Sequence, residues 1–375
     1  MDKKKILFIV NEPWFFLSHR LPIAVAAQEQ GYTVCVATKA GETVSDISRM
    51  GFIHHEIPLS RSGSSVLSEL SSLIAIWQLL RKVKPDVVHL VTIKPVLYGG
   101  IASRFTSVKK VVAAVSGLGT LFLAQGIKAE VKRKLGAGLY RLALRSKKTT
   151  VILQNPDDKQ LLLDLGAVKP EQTVLIRGSG ADLSAYQFLP EMLDGKPVVT
   201  FAARLLFDKG LAEYVAAVEL LNSRGVEAVY QIVGDMDFGN PTSATEKDIQ
   251  AWKVIPNLSV LGYQKDMAAV FKNSNLVVLP SYREGLPKVL IEAAACGRAV
   301  ITTDVPGCRD AIEANKTGLL VAAKNIAELA NAIELLVKDV ELRVKMGIAG
   351  RKLAEEAFSI EQIIEQHLSI YQQVG

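Results

Sequence analysis

Two glutamates stand eight residues apart in Glu284-Gly285-Leu286-Pro287-Lys288-Val289-Leu290-Ile291-Glu292. The first precedes a Gly-Leu-Pro turn. The second sits in an apolar, helix-like run that ends at Cys296-Gly297. Just upstream, Leu276-Val277-Val278-Leu279 reads as a buried strand, followed by Pro280-Ser281-Tyr282-Arg283. A strand, a turn and a helix start together offer backbone N–H groups to a phosphate. Gly285, Leu286 and Pro287 form that turn; Pro287 donates nothing itself but suits a first helical turn. Glu284 is expected at the mouth of the loop and Glu292 about two turns into the helix. Carboxylates so placed can hold sugar hydroxyls on either side of a diphosphate, which is the chemistry of a nucleotide-sugar site. A Glu between Ile291 and Ala293 is costly to bury unpaired, so it needs a hydroxyl partner or a solvent-facing position.

A second constellation is cationic. Arg204 follows the strand pattern at 198–202, and Lys209-Gly210 opens the next helix. Two cations on one strand-to-helix loop can neutralise a departing diphosphate; a solvated loop is the alternative reading. Gly234-Asp235 and Gly262-Tyr263 end two further strand patterns and are expected to wall a base pocket, with Tyr263 placed to stack on or bond a uracil. The segment 235–252 reads as an irregular loop beside it. Asp235-Met236-Asp237 has the letters of an Asp-x-Asp metal motif but not its strand context. With Arg204 and Lys209 supplying positive charge, neither a metal nor a cofactor is expected.

In the first half, Trp14, Phe15 and Phe16 cluster in an expected loop over 11–20, with His19 and Arg20 opening the next helix. Two readings stand: a core staple, or an acceptor wall with aromatics for a sugar face or isoprenoid and Arg20 for its diphosphate. His89 alternates with apolar strand positions and reads as a core histidine. Gly117-Leu118-Gly119 lacks the spacing of a dinucleotide fingerprint.

The elements that must position these residues come in two runs of alternating strands and helices. Strands are expected at 6–10, 33–37, 87–91, 111–115, 150–153 and 174–177, then at 198–202, 230–233, 259–261, 276–279, 299–302 and 319–321. Helices are expected at 21–30, 68–82, 211–224, 327–338 and 361–371. Short Val/Ile/Leu runs are what parallel strands buried on both faces require, so the fold class is α/β with two doubly wound parallel sheets. The length of 375 residues also suits two domains. The Gly-, Ser- and Pro-bearing stretch 178–197 is the expected hinge. The division is 1–178, 179–357 and a tail at 358–375.

Charge is divided unevenly. Residues 1–185 hold 25 Lys+Arg and 14 Asp+Glu, whereas 186–375 hold 19 and 24. That asymmetry points to a polyanionic partner for the first half. The densest patch, 128–148, carries Lys128, Lys132, Arg133, Lys134, Arg141, Arg145, Lys147 and Lys148 among leucines. It reads either as a basic amphipathic helix on an anionic membrane surface or as an ordinary solvated helix. No nucleic-acid partner is expected. Three scattered cysteines suit a reducing cytosol, and no run of residues is long and apolar enough to span a bilayer.

The ordered set of motifs resembles the family-4 retaining glycosyltransferases of the GT-B fold. The Glu284–Glu292 segment matches their E-x7-E signature. Ala203-Arg204 with Lys209-Gly210, Val233-Gly234-Asp235, Leu261-Gly262-Tyr263 and Asp304-Val305-Pro306-Gly307-Cys308 match in order. Leu17-Ser18-His19-Arg20-Leu21-Pro22 and Val115-Ser116-Gly117-Leu118-Gly119 are similar to PglA-like enzymes that extend undecaprenyl-diphosphate-linked glycans. The resemblance implies two Rossmann-like domains facing across a cleft, with a C-terminal helix crossing back to the first. It implies a UDP-hexose or UDP-N-acetylhexosamine donor on the second domain and a lipid-diphosphate-linked glycan acceptor on the first, at the inner face of the plasma membrane. Glu284 would contact the transferred sugar, Glu292 the ribose, and Arg204 and Lys209 the leaving diphosphate. Many members carry a His in the loop after the fourth strand. Here that loop has none, which leaves Ser116 and the amides around Gly117 to position the acceptor. A UDP-sugar epimerase of the same fold and a non-catalytic nucleotide-sugar-binding protein are the alternatives.

Overall fold

The computed structural model describes residues 3–59, 66–118 and 127–373, with side chains except at 66 and 127–132. It divides into two compact units: Met1–Ser179 with Gln362–Gly375, and Gly180–Glu361.

The first unit carries seven strands: β1 (Lys5–Val10), β2 (Thr33–Thr38), β3 (Ile53–Glu56), β4 (Val87–Val91), β5 (Lys110–Val115), β6 (Thr149–Leu153) and β7 (Thr173–Leu175). They form one parallel sheet in the order β3-β2-β1-β4-β5-β6-β7. Interleaved helices are α1 (Pro13–His19), α2 (Leu21–Glu29), α3 (Val44–Arg49), α4 (Val66–Val83), α5 (Ile93–Ser103), α6 (Ile127–Leu144) and α7 (Pro156–Asp164). The sheet is covered on both faces, so each strand divides by alternation. Leu7 and Ile9 enter one core with Ile76, Val96 and Tyr140. Ile6, Phe8 and Val10 enter the other with Phe16, Ile23 and Tyr371. This period of two explains why the strands read as continuous apolar runs.

Three elements depart from expectation. Residues 246–252, inside the expected loop over 235–252, form a helix that the Thr245 and Asp248 side chains cap. β3, Ile53-His54-His55-Glu56, is an edge strand with only partial burial, so it lacks the apolar run that marked its neighbours. The aromatic cluster at 14–16 lies in helix α1, started by Pro13, rather than in a loop.

The second unit holds β8 (Val198–Ala202), α8 (Leu211–Ser223), β9 (Val229–Val233), α9 (Glu246–Trp252), β10 (Leu258–Gly262), α10 (Met267–Lys272), β11 (Leu276–Leu279), α11 (Lys288–Ala295), β12 (Ala299–Thr303), β13 (Gly318–Val321), α12 (Ile326–Lys338) and α13 (Val340–Ala357). Its parallel sheet runs β10-β9-β8-β11-β12-β13. The segments leading into and out of this unit lie side by side: Ala181 N–H donates to Phe358 O at 2.8 Å, and Ile360 N–H to Ala181 O at 3.0 Å. The final helix, α14 (Ile360–Gln372), buries Ile363, Ile370 and Tyr371 in a core of the first unit.

In both sheets the strand order reverses beside the first strand, between β1 and β4 and between β8 and β11. Outside the carboxyl ends of such strands the loops diverge and leave a crevice, the usual place for a ligand in an open α/β sheet.

Candidate active site

The loops leaving β8 and β11 carry Arg204, Lys209 and Glu284, so these residues sit at the switch point of the second sheet. Several backbone and side-chain bonds fix them there. Tyr282 N–H donates to Asp208 O at 3.0 Å and Ser281 Oγ to the same carbonyl at 3.2 Å. Thr303 Oγ1 donates to Ser281 O, tying the loop to β12. The Tyr282 hydroxyl donates to Glu213 at 2.6 Å. Burial and then that carboxylate push the phenol pKa up. Gly210 has φ +74, and a Cβ there would stand 2.1 Å from Pro280 O. The two loops approach this closely only because that position is glycine.

The cations are already partnered. Lys209 Nζ bonds Glu284 Oε1, with side chains 19% and 13% exposed. Arg204 Nη1 bonds Asp237 Oδ2. Asp237 lies on a strap after β9 that is stitched to the Arg204 loop. Leu205 N–H reaches Asp235 O at 2.9 Å, Phe207 N–H reaches Thr242 O at 2.8 Å, and Ala244 N–H reaches Leu205 O at 2.8 Å. Asp237 thus serves as a counter-charge for Arg204. Its role there was not legible from Asp235-Met236-Asp237 as a motif.

Glu284 N–H donates to Pro306 O at 3.1 Å. Gly307, φ +82, would place a Cβ 2.4 Å from Glu284 O, so glycine is needed for this second loop to seat the catalytic candidate. The nearby Cys308 thiol is pushed up to about 12 by burial and then by Glu284.

Helix α11 starts after Pro287, so Glu292 is its fifth residue, nearer one turn in than two. It is 6% exposed. Lys288 Nζ lies 3.0 Å from Glu292 Oε1, one turn earlier on the same face. The Tyr186 hydroxyl bonds Glu292 and is pushed up by burial first and this carboxylate second. Glu292 Oε1 makes no hydrogen bond of good geometry among the described residues. Lys288 was legible from its spacing; Tyr186 comes from 106 residues away and was not. Gly285, Leu286 and Pro287 are buried at the helix start. Gly234 follows β9 and bonds Gly262 O at 2.9 Å, while Asp235 and Tyr263 are exposed beside it, Tyr263 at 69%. The second unit therefore brings the residues expected to bind a donor to one edge of one sheet.

In the first unit, Trp14 is 39% exposed, Phe15 stacks on His19 at 4.0 Å, and Phe16 is fully buried. Arg20 differs from expectation. It is 2% exposed, and its Nη1 donates to His19 O at 2.8 Å and to Ser179 Oγ at 3.1 Å. Burial lowers its pKa to about 10. Arg20 is the single residue between α1 and α2, and at this exposure it does not stand open to a diphosphate. His89 is enclosed against Tyr371 Oη. Ser116 and Gly117 follow β5 in the described chain, whereas Gly119 lies outside the described residues. In the basic patch, Lys128 and Lys132 are outside the described side chains. Lys148 is turned in, donating to Ser103 O at 2.7 Å and Val108 O at 3.1 Å.

The glycosyl transferases group 1 model matches residues 188–353, and the glycosyl transferase 4-like model matches 5–155. An N,N'-diacetylbacillosaminyl-diphospho-undecaprenol alpha-1,3-N-acetylgalactosaminyltransferase of Campylobacter jejuni is 27% identical, with 96% of this chain and 98% of that protein covered. A UDP-Gal:alpha-D-GlcNAc-diphosphoundecaprenol alpha-1,3-galactosyltransferase of Escherichia coli is 25% identical, covering 84% and 82%. The sucrose-phosphate synthase of Thermosynechococcus elongatus superposes with a TM-score of 0.84 at 20% identity over 99% of both chains. Anabaena HepE in complex with UDP-glucose superposes with a TM-score of 0.77 at 19% identity, covering 97% and 99%. None of these relatives is an epimerase by name. With its two parallel-sheet units and these matches along nearly its whole length, the chain belongs to the family-4-like glycosyltransferases of the GT-B fold.

Proposed function

We propose that this glycosyltransferase moves a hexose or N-acetylhexosamine from a UDP-sugar to a polyprenyl-diphosphate-linked glycan, with retention at the anomeric carbon, in bacterial surface polysaccharide or glycoprotein glycan assembly. The observation that carries the donor half is the meeting of Arg204, Lys209 and Glu284 at the β8/β11 switch point. The acceptor class is supported by the Campylobacter and Escherichia relatives, whose names specify undecaprenol-diphosphate glycans.

Arg204 and Lys209 would exchange their carboxylate partners for the donor's diphosphate and stabilise it as it leaves. Glu284, released from Lys209, would hold a hydroxyl of the transferred sugar, and Glu292 a ribose hydroxyl. In a front-face route the bond from the anomeric carbon to the diphosphate oxygen breaks. The acceptor oxygen bonds that carbon on the same face, and the acceptor's proton passes to the departing diphosphate. With two cations at the diphosphate, transfer should persist in EDTA.

Membrane association at the inner face is part of the reading. Among the described residues no helix is long and apolar enough to cross a bilayer. Helix α6 exposes Leu135, Leu139 and Leu142 at helical spacing, beside exposed Arg133, Lys134, Arg141 and Arg145. An apolar stripe flanked by cations suits the surface of an anionic bilayer.

The test is incubation of the purified protein with UDP-hexoses, UDP-N-acetylhexosamines and short-chain polyprenyl-diphosphate sugars, with the product anomer read by NMR. Transfer with the donor's own anomeric configuration supports the reading. Acceptor-free conversion of a UDP-sugar to its epimer would overturn it.

A further inference from the structure

At the carboxyl edge of the first sheet, three side-chain oxygens at or beside the switch point have no hydrogen-bond partner among the described residues. β1, β4 and β5 are neighbours, with Val10 opposite Val91 and Val91 opposite Ala114. Asn11 and Thr92 are the next residues of their strands, and Ser116 lies one step beyond Val115. With neighbouring strands about 4.8 Å apart, the three positions span about 10 Å. Asn11 Oδ1, Thr92 Oγ1 and Ser116 Oγ are buried and have no hydrogen-bond partner among the described residues.

The flanking strand ends behave differently. After β6, Asn155 Oδ1 accepts from Asp158 N–H at 2.8 Å. At the end of β2, Thr38 Oγ1 donates to Lys39 O at 2.7 Å. At the carboxyl ends of β2 and β6 the polar side chains are therefore satisfied, unlike those of Asn11, Thr92 and Ser116. Buried polar atoms without partners are rare because burial removes their water.

Thr92 adds a second anomaly. Its backbone has φ 74 and ψ 164, a conformation that suits glycine and strains a β-branched residue. It stands at the N-cap of α5, where a threonine oxygen ordinarily accepts a helix N–H, yet it makes no cap bond. Its hydroxyl is thus held in an unfavourable backbone without serving the helix.

The donor and acceptor pattern selects the ligand. An amide oxygen accepts, and two hydroxyls both donate and accept. Phosphate oxygens only accept, so they would face Asn11 Oδ1 unfavourably. Two cations adjoining this edge in the chain are held elsewhere, Lys39 by Glu12 at 2.8 Å and Lys94 by Glu69 at 2.7 Å. We propose that Asn11, Thr92 and Ser116 form a subsite for the hydroxyls of the acceptor's terminal sugar ring. This assigns Asn11 and Thr92 a specificity role beside Ser116. It rests on the acceptor reading above, and it places the sugar rather than the lipid diphosphate at this edge.

The test measures binding, so it does not depend on turnover. The probes are methyl N-acetylglucosaminide, farnesyl-diphosphate N-acetylglucosamine and sugar-free farnesyl diphosphate. Asn11→Ala, Thr92→Val and Ser116→Ala should each weaken both sugar-bearing probes about 3- to 10-fold. Sugar-free farnesyl diphosphate and UDP should bind as before. Thr92→Ser should restore affinity. Melting temperatures should not fall, because each variant removes an unsatisfied oxygen; a purely structural role predicts the opposite. Unchanged affinity for both sugar probes, or equal weakening of the sugar-free lipid, overturns the subsite. If the glycoside responds but neither lipid binds, the subsite stands and the polyprenyl-diphosphate reading falls.

Discussion

Lys209 is asked to do two things, and one pair of substitutions separates them. In the ligand-free protein it neutralises Glu284, and both side chains are largely enclosed. Lys209→Met leaves the largely enclosed Glu284 beside Cys308 without its cation. A fully buried pair broken this way costs about 3–5 kcal/mol; at 13–19% exposure we expect about 1–3 kcal/mol after solvent screening. For a unit of this size each kcal/mol shifts the melting temperature by about 2–4 °C. The chemical role is larger. Losing one preorganised charge on the leaving diphosphate should cost about 3–4 kcal/mol, or about 100- to 1000-fold in kcat. The double variant Lys209→Met, Glu284→Gln removes the stranded carboxylate. Its melting temperature should return to within about 3 °C of wild type, while kcat stays at or below that of the single variant. Calorimetry and steady-state kinetics with saturating donor read both. If Lys209→Met raises the donor KM and leaves kcat alone, the lysine binds the ground state only and the leaving-group role is refuted. If the double variant regains activity, the pair is structural and the chemistry lies elsewhere.

Asp237→Asn should tighten UDP binding about two- to fivefold, because a part-buried pair whose Arg204 is 40% exposed contributes, after solvent screening, up to about 1 kcal/mol that the diphosphate no longer has to displace; weaker UDP binding by titration calorimetry would refute the counter-charge role. Burial and then the Arg20 charge hold His367 at about 3 and His89 well below its ordinary value. Unfolded, both take up protons near pH 6.5, so the unfolded chain binds more protons below that point. Stability should therefore be full above pH 6.5 and fall toward pH 3, by up to about 1.4 kcal/mol per pH unit for each histidine. His367→Gln should flatten the melting-temperature profile between pH 5 and 7, and an unchanged slope would count against it. Replacing Arg133 and Lys134 with Glu should weaken binding to phosphatidylglycerol vesicles by about 1 kcal/mol or more per position at low salt; vesicle flotation unaffected by these changes or by salt would make α6 a plain solvated helix.

Much of this protein was legible in one dimension because the signals are local. A parallel strand buried on both faces favours apolar residues at consecutive rather than alternate positions, so β1, β4, β5, β8, β11 and β12 stand out in the chain. The turn after β11 and the helix behind it lie within one stretch, so Glu284, Glu292 and even Lys288 are readable from spacing. Edge strand β3 was hidden because partial burial relaxes its pattern. The choice of partners could not be read, since it depends on which loops the strand order brings together. Asp237 reaches Arg204 across 33 residues and Lys209 meets Glu284 across 75. His89 meets Tyr371 across 282, because the last helix packs in the first unit. Arg20 was read as a cation for an acceptor diphosphate, whereas the fold encloses it and brings it to Ser179, 159 residues away. Asn11, Thr92 and Ser116 are ordinary residues after ordinary strands; their meaning arises from adjacency at a switch point and from bonds not made. Periodicity follows from each residue's own burial, whereas a site is set by the relative placement of distant segments, and that placement exists only once the sheet has formed.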